Sequence, residues 1–126
     1  MSNKIMVVED DELLRTLTAA MIEECGMEAI EAENGDDARN ILAREGDKIS
    51  AVMTDIRMPG RTDGVALAKW IGERWPHIRV LVTSAFAPTP DGRVPAGMEF
   101  MPKPWLSLDV IKFVLRAEIA SVPSRT

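Results

Sequence analysis

Four short runs end on side chains suited to phosphate and metal chemistry. Ala51-Val52-Met53-Thr54 ends at Asp55, and Ile56-Arg57-Met58-Pro59-Gly60 follows. Ile5-Met6-Val7-Val8 ends at Glu9-Asp10-Asp11, and Val80-Leu81-Val82 ends at Thr83. Met98-Glu99-Phe100-Met101 leads into Pro102-Lys103-Pro104. If these runs are strands lying side by side and parallel, their C-terminal edge gathers several carboxylates, an ammonium group and a hydroxyl. A hard cation such as Mg²⁺ takes a few carboxylate oxygens and keeps places for water and phosphate oxygen. An aspartate can itself accept a phosphoryl group as an aspartyl-phosphate. The chemistry this predicts is a phosphorylatable switch, with Asp55 as its centre.

The elements that must position these residues alternate between strand and helix. Strand one is expected at about Lys4 to Val8, and helix one at about Asp11 to Cys25, with Leu14, Leu17, Met21 and Ile22 on one face. Gly26 stands where a helix C-terminal cap belongs. Strand two, about Met27 to Ala32, carries Glu28 and Glu31 and reads as an edge strand. Asn34 can cap helix two, which turns Ala38, Ile41 and Leu42 inward and stops at Gly46. Strand three is expected at Ser50 to Thr54. Helix three runs from about Asp63 to Arg74, with Leu67, Trp70 and Ile71 inward, and Pro76 forbids its continuation. Strand four covers Arg79 to Thr83, strand five Met98 to Met101, and helix five Leu106 to Ala120.

Strands one, three and four are almost wholly apolar, as parallel strands covered on both faces must be. Strands two and five carry charge and belong at the edges. The order 2-1-3-4-5 satisfies both demands. It predicts a flavodoxin-like doubly wound α/β sheet of five parallel strands, with its switch point between strands one and three. Glu9, Asp10 and Asp55 meet at that point. Residues 85–97 break the alternation: their prolines and glycines oppose a helix, and Pro90-Asp91-Gly92 reads as a turn. Helix four is therefore expected to be missing or reduced, and the segment mobile.

Composition narrows the class. The 126 residues suit one domain, read as 1–121 with a short tail at 122–126. The net charge of -5, with no local basic cluster, argues against a nucleic-acid partner. The lone Cys25 excludes an internal disulfide, and no apolar run reaches the length of a membrane span. A cytoplasmic location is the expectation.

The motifs then converge on a family. Val7-Val8-Glu9-Asp10-Asp11, Thr54-Asp55-Ile56-Arg57-Met58-Pro59-Gly60, Leu81-Val82-Thr83-Ser84-Ala85 and Phe100-Met101-Pro102-Lys103-Pro104-Trp105 stand in order along nearly the whole chain. Together they resemble the receiver domain of two-component response regulators, the chemotaxis-type (CheY-like) single-domain fold. The resemblance implies that Asp55 takes a phosphoryl group from a histidine kinase or histidine phosphotransfer protein. It implies Mg²⁺ bound by Asp10, Asp55 and the backbone carbonyl of Arg57, with Glu9 acting through water. Lys103 and Thr83 would hold the phosphoryl oxygens, and Phe100 would be the switch aromatic of the output face. Such a chain is not a conventional enzyme, since it catalyses only its own phosphorylation and dephosphorylation.

Each motif alone admits a plainer reading. Glu9-Asp10-Asp11 can cap helix one and favour its dipole. Asp55 can be a turn former, Thr83 an edge residue, Phe100 core and Lys103 a solvated loop residue. The ordered set favours the chemical reading. His77 follows Trp75-Pro76 far from the site and receives no role. Two departures mark this chain within the resemblance. Arg57 puts a cation where receivers turn a side chain toward the phosphorylation site, so it is expected to modulate dephosphorylation. Segment 85–97 replaces the usual helix four. A haloacid-dehalogenase-type phosphatase resembles Asp-x-Asp, and Arg57 at the third position excludes it. A nucleotide-binding module wants glycine after strand one, where this chain has acids. A phosphorylation-independent pseudo-receiver that only binds protein is the alternative. Three outputs compete within the resemblance, a single-domain regulator, a phosphate sink and a receiver cut from a hybrid kinase, and the initial Met and short tail favour a stand-alone protein.

Overall fold

In a computed structural model of the chain, the described backbone covers residues 4–55, 64–84 and 98–102. Side chains are described for 4–55 and 66–83. The elements are β1 (Lys4–Val8), α1 (Glu12–Glu24), β2 (Glu28–Ala32), α2 (Gly35–Glu45), β3 (Ile49–Asp55), α3 (Gly64–Arg74), β4 (Arg79–Ser84) and β5 (Met98–Pro102). A single 3₁₀ turn, Gly46–Lys48, joins α2 to β3. The expected helix five, segment 85–97 and the tail 122–126 lie outside the described residues.

The strands form one sheet in the order β2-β1-β3-β4-β5, and every pairing is parallel. This is the expected topology. The reason is visible in β3, where all seven residues are buried, as a central strand covered on both faces must be. β2 leaves Glu28 and Glu31 exposed and Ala29 and Ile30 only half-buried, and it takes the edge. Ser50 interrupts the β1–β3 ladder, because Lys4 pairs with Ile49 while Ile5 pairs with Ala51. The Ser50 hydroxyl donates to the Lys4 carbonyl at 3.1 Å and so occupies the irregularity.

Two cores flank the sheet. On one face Met6, Val8, Val52, Val80 and Val82 meet Ala38, Ile41 and Leu42 of α2 and Leu67, Ala68 and Ile71 of α3. On the other, Ile5, Val7, Ala51, Met53 and Leu81 meet Ile22 of α1. Burying each Ile, Leu or Val is worth about 1.5–3 kcal/mol, so these rows fix which way every strand faces.

The helix ends follow their sequence signals. Asp11 caps α1 by accepting from the Leu14 amide at 3.0 Å, and Asn34 caps α2 by accepting from the Asp37 amide at 2.7 Å. Gly26 takes the left-handed conformation after α1, with φ 89°, and its amide donates to the Glu23 carbonyl at 3.0 Å. The expected inward stripe of α1 needs one correction. Leu17 is 53% exposed, like Leu13 at 70%, and the buried positions are Thr18, Ala19 and Ile22. Leu14 and Met21 flank that stripe, half-buried. The small Ala19 and Thr18 face the sheet, and the Thr18 hydroxyl is satisfied locally by the Leu14 carbonyl at 2.8 Å.

Candidate functional site

Parallel register carries the acids to one edge. Val8, the last residue of β1, pairs with Thr54, so Glu9 and Asp10 leave their strand where Asp55 ends β3. Each of the carboxylates of Glu9, Asp10 and Asp55 contributes one oxygen to a group whose members lie within 4.8 Å of one another. Glu9 is 3% and Asp55 9% exposed, while Asp10 opens to solvent. The third acid of the run, Asp11, is drawn away into the helix cap. The plainer capping reading therefore applies to Asp11, and the other two acids face Asp55.

Alternation along the strands places the hydroxyl. Ala51 and Met53 face the α1 core, so Asp55 continues their row, and Thr83 continues the row of Leu81. Asp55 and Thr83 are register partners across β3 and β4. The Thr83 hydroxyl donates to the Thr54 carbonyl at 3.3 Å. That is long for a hydroxyl bond, whose usual length is about 2.7–2.8 Å.

The turn that presents Glu9 and Asp10 is held from three sides. The Glu9 amide donates to the Ala32 carbonyl of β2 at 3.1 Å. The Glu9 carboxylate accepts from the Asp11 amide at 3.2 Å. The Glu9 carbonyl accepts from Arg15 Nη1 at 2.9 Å, while Arg15 Nε donates to the Glu31 carboxylate at 3.2 Å. The sequence pattern does not single out Arg15. Its only signal was a cation one turn into the helix that follows the acids.

The donor set is chemically specific. Like charges this close repel, at about 3.5 kcal/mol per pair for an effective dielectric constant of 20. A divalent cation would relieve that cost. All-oxygen carboxylate ligation selects a hard ion, and the exposed Asp10 side leaves room for water and phosphate. The residues present thus fit Mg²⁺.

The remaining expected site residues stand as follows. The Phe100 backbone lies in β5 opposite Val82, and its side chain is outside the described residues. Arg57 and Lys103 are outside them as well. His77 is exposed beyond α3, away from the acidic edge.

A family model described as the response regulator receiver domain matches residues 5–111. The response regulator protein FleR of Pseudomonas aeruginosa is 31% identical over 98% of this chain, which spans 26% of that protein. The response regulator receiver protein CpdR of Brucella abortus is 28% identical, over 94% of this chain and 98% of its own length. The chain spans about a quarter of the first curated relatives it matches. Among solved structures, a response regulator receiver domain protein from Clostridium thermocellum superposes with a TM-score of 0.81 at 23% identity. That match covers 93% of this chain and 94% of the other, and it shows the fold.

Proposed function

The chain belongs to the response regulator receiver family, and from that premise we propose that it takes a phosphoryl group on Asp55 from a phosphohistidine donor with Mg²⁺ bound. The observation that carries this reading is the convergence of Glu9, Asp10 and Asp55 at the end of the central strands. Asp55 and Asp10 would hold the ion directly, with the Arg57 carbonyl, and Glu9 through water. Bound Mg²⁺ supplies charge neutralisation for the carboxylates and the incoming phosphoryl oxygens.

In the transfer an Asp55 oxygen attacks phosphorus, the phosphorus–nitrogen bond of the donor breaks, and imidazole leaves. The protein's part is positioning and electrostatics. β3 fixes Asp55 at the C-terminal end of the central strand, directly after the buried Thr54. The product adds about -1.5 to -2 of charge, by analogy with phosphoserine. Thr83 then exchanges a long bond to the Thr54 carbonyl for one to a phosphoryl oxygen, a change that costs little. Lys103 supplies the balancing cation, and Phe100 reports the change to the face of β4 and β5. Arg57 tunes the lifetime of the phosphoryl group.

Family relatives imply a histidine-kinase signalling partner. The exposed Leu13 and Leu17 lie one turn apart on α1, beside Asp10, and offer that donor an apolar landing. Among the described residues no helix is long and apolar enough to cross a membrane. We propose that the domain acts in the cytoplasm as a phosphorylatable regulator or as a phosphate sink.

Incubation with acetyl phosphate and Mg²⁺, followed by intact-mass measurement, tests the reading. One phosphoryl adduct on the native chain and none on Asp55→Asn supports it. An unmodified native chain, both with acetyl phosphate and with a phosphorylated donor, would favour the binding-only pseudo-receiver.

A further inference from the structure

We propose that Arg15 is a positioning residue for the metal site: its guanidinium ties the backbone of Glu9 to β2 and so holds the carboxylates together before any ion arrives. The inference rests on the Mg²⁺ reading given above.

The Arg15 side chain is only 13% exposed, although it belongs to the first turns of a surface helix. Its fork makes two bonds in different directions, Nη1 to the Glu9 carbonyl at 2.9 Å and Nε to the Glu31 carboxylate at 3.2 Å. Glu31 sits on β2, one residue before Ala32, whose carbonyl receives the Glu9 amide. Both backbone polar groups of Glu9 are therefore anchored to the β2 side of the sheet, one directly and one through Arg15. What remains for Glu9 is to turn its carboxylate toward Asp10 and Asp55.

This arrangement has work to do. Three carboxylates with oxygens within 4.8 Å of one another repel. The β1–α1 turn is the part able to yield, because Asp55 is fixed in a central strand. A lysine could keep the charge but not the fork, since its ammonium is a point charge without the planar two-way geometry.

Charge and geometry predict opposite signs. By Coulomb's law alone, removing a cation near the site should tighten Mg²⁺ binding. By positioning, removing it should weaken binding, because the ion must then pay for reassembling Glu9 and Asp10. Groups that orient metal ligands from behind are typically worth ten- to a hundredfold in affinity. Arg15 acts through the backbone of one ligand-side residue, so the lower end, about tenfold, is expected.

The test is calorimetric titration of MgCl₂ into the metal-free full chain, for native protein, Arg15→Gln, Arg15→Lys and Glu31→Gln, with folding checked by circular dichroism. Expected are an Mg²⁺ Kd about tenfold weaker for Arg15→Gln, an intermediate loss for Arg15→Lys, and a smaller loss for Glu31→Gln. Unchanged or tighter binding by folded Arg15→Gln overturns the proposal, including the case where only its Tm falls. If Arg15→Gln does not fold, Glu31→Gln decides, and native affinity there overturns it. Absence of Mg²⁺ binding by the native chain refutes the metal-site reading itself, and the positioning role with it.

Discussion

Asp55→Asn should make the metal-free protein more stable, because it removes a charge from a cluster that repels itself. The Asp55 oxygen lies within 4.8 Å of one oxygen from each of Glu9 and Asp10. At an effective dielectric constant of 20 a pair at that distance costs about 3.5 kcal/mol, and in bulk water about 0.9 kcal/mol. Glu9 is buried and falls toward the first figure, whereas Asp10 is exposed and falls toward the second. The gross repulsion felt by Asp55 is then about 4 kcal/mol. Relaxation of the turn and the interactions that Glu9 and Asp55 make with other groups absorb part of it. A net gain of about 1–3 kcal/mol remains, or a rise of roughly 3–10 °C in Tm for a domain of this length. The assay is thermal unfolding in EDTA at low ionic strength, followed by a Mg²⁺ series. At ten times its Kd the ion should stabilise the native chain by about 1.4 kcal/mol, and Asp55→Asn should lose most of that response. An Asp55→Asn protein that melts at or below the native temperature in EDTA would refute the charge argument. An undiminished Mg²⁺ response would remove Asp55 from the metal site.

Three further outcomes follow from other parts of the molecule. Leu13→Asp combined with Leu17→Asp should slow phosphoryl transfer from a phosphohistidine protein at least several-fold while leaving acetyl phosphate labelling intact; equal effects on both donors would exclude α1 as the landing surface. Gly46→Ala should destabilise the fold by about 1–3 kcal/mol, measured by urea unfolding, because a Cβ there would run into the Trp75 ring. Lys4 has its pKa raised by the Glu45 hydrogen bond first and then by Glu28, against a desolvation cost. With the folded pKa above the unfolded value, its contribution is complete below about pH 10.5 and fades as pH rises through the folded value. The alkaline loss of stability should therefore be shallower in Lys4→Met, and identical pH profiles would dismiss the pairing.

How far the sequence carried this reading depends on the range of each interaction. Hydrophobic runs, caps and glycine placement are local, and they delivered β1 through β4, the caps at Asp11 and Asn34, and the strand order that sends Glu9, Asp10 and Asp55 to one edge. Period counting failed at Leu17, because a helix of mixed faces offers several stripes and the sheet chose the one containing small residues, Thr18 and Ala19. The same choice leaves Leu13 and Leu17 outward, where an apolar surface is useful only to a partner. Arg15 was illegible for a related reason. Its two partners are Glu9, six positions earlier, and Glu31, sixteen positions later, and nothing in either neighbourhood specifies the other. Sequence spacing thus tells which groups reach the edge, while contacts between elements decide how firmly they are held there. For the switch proposed here the second matters as much as the first. A carboxylate cluster that must stay assembled without its cation needs a rigid back, and in this fold that back runs from Glu9 through Arg15 to β2.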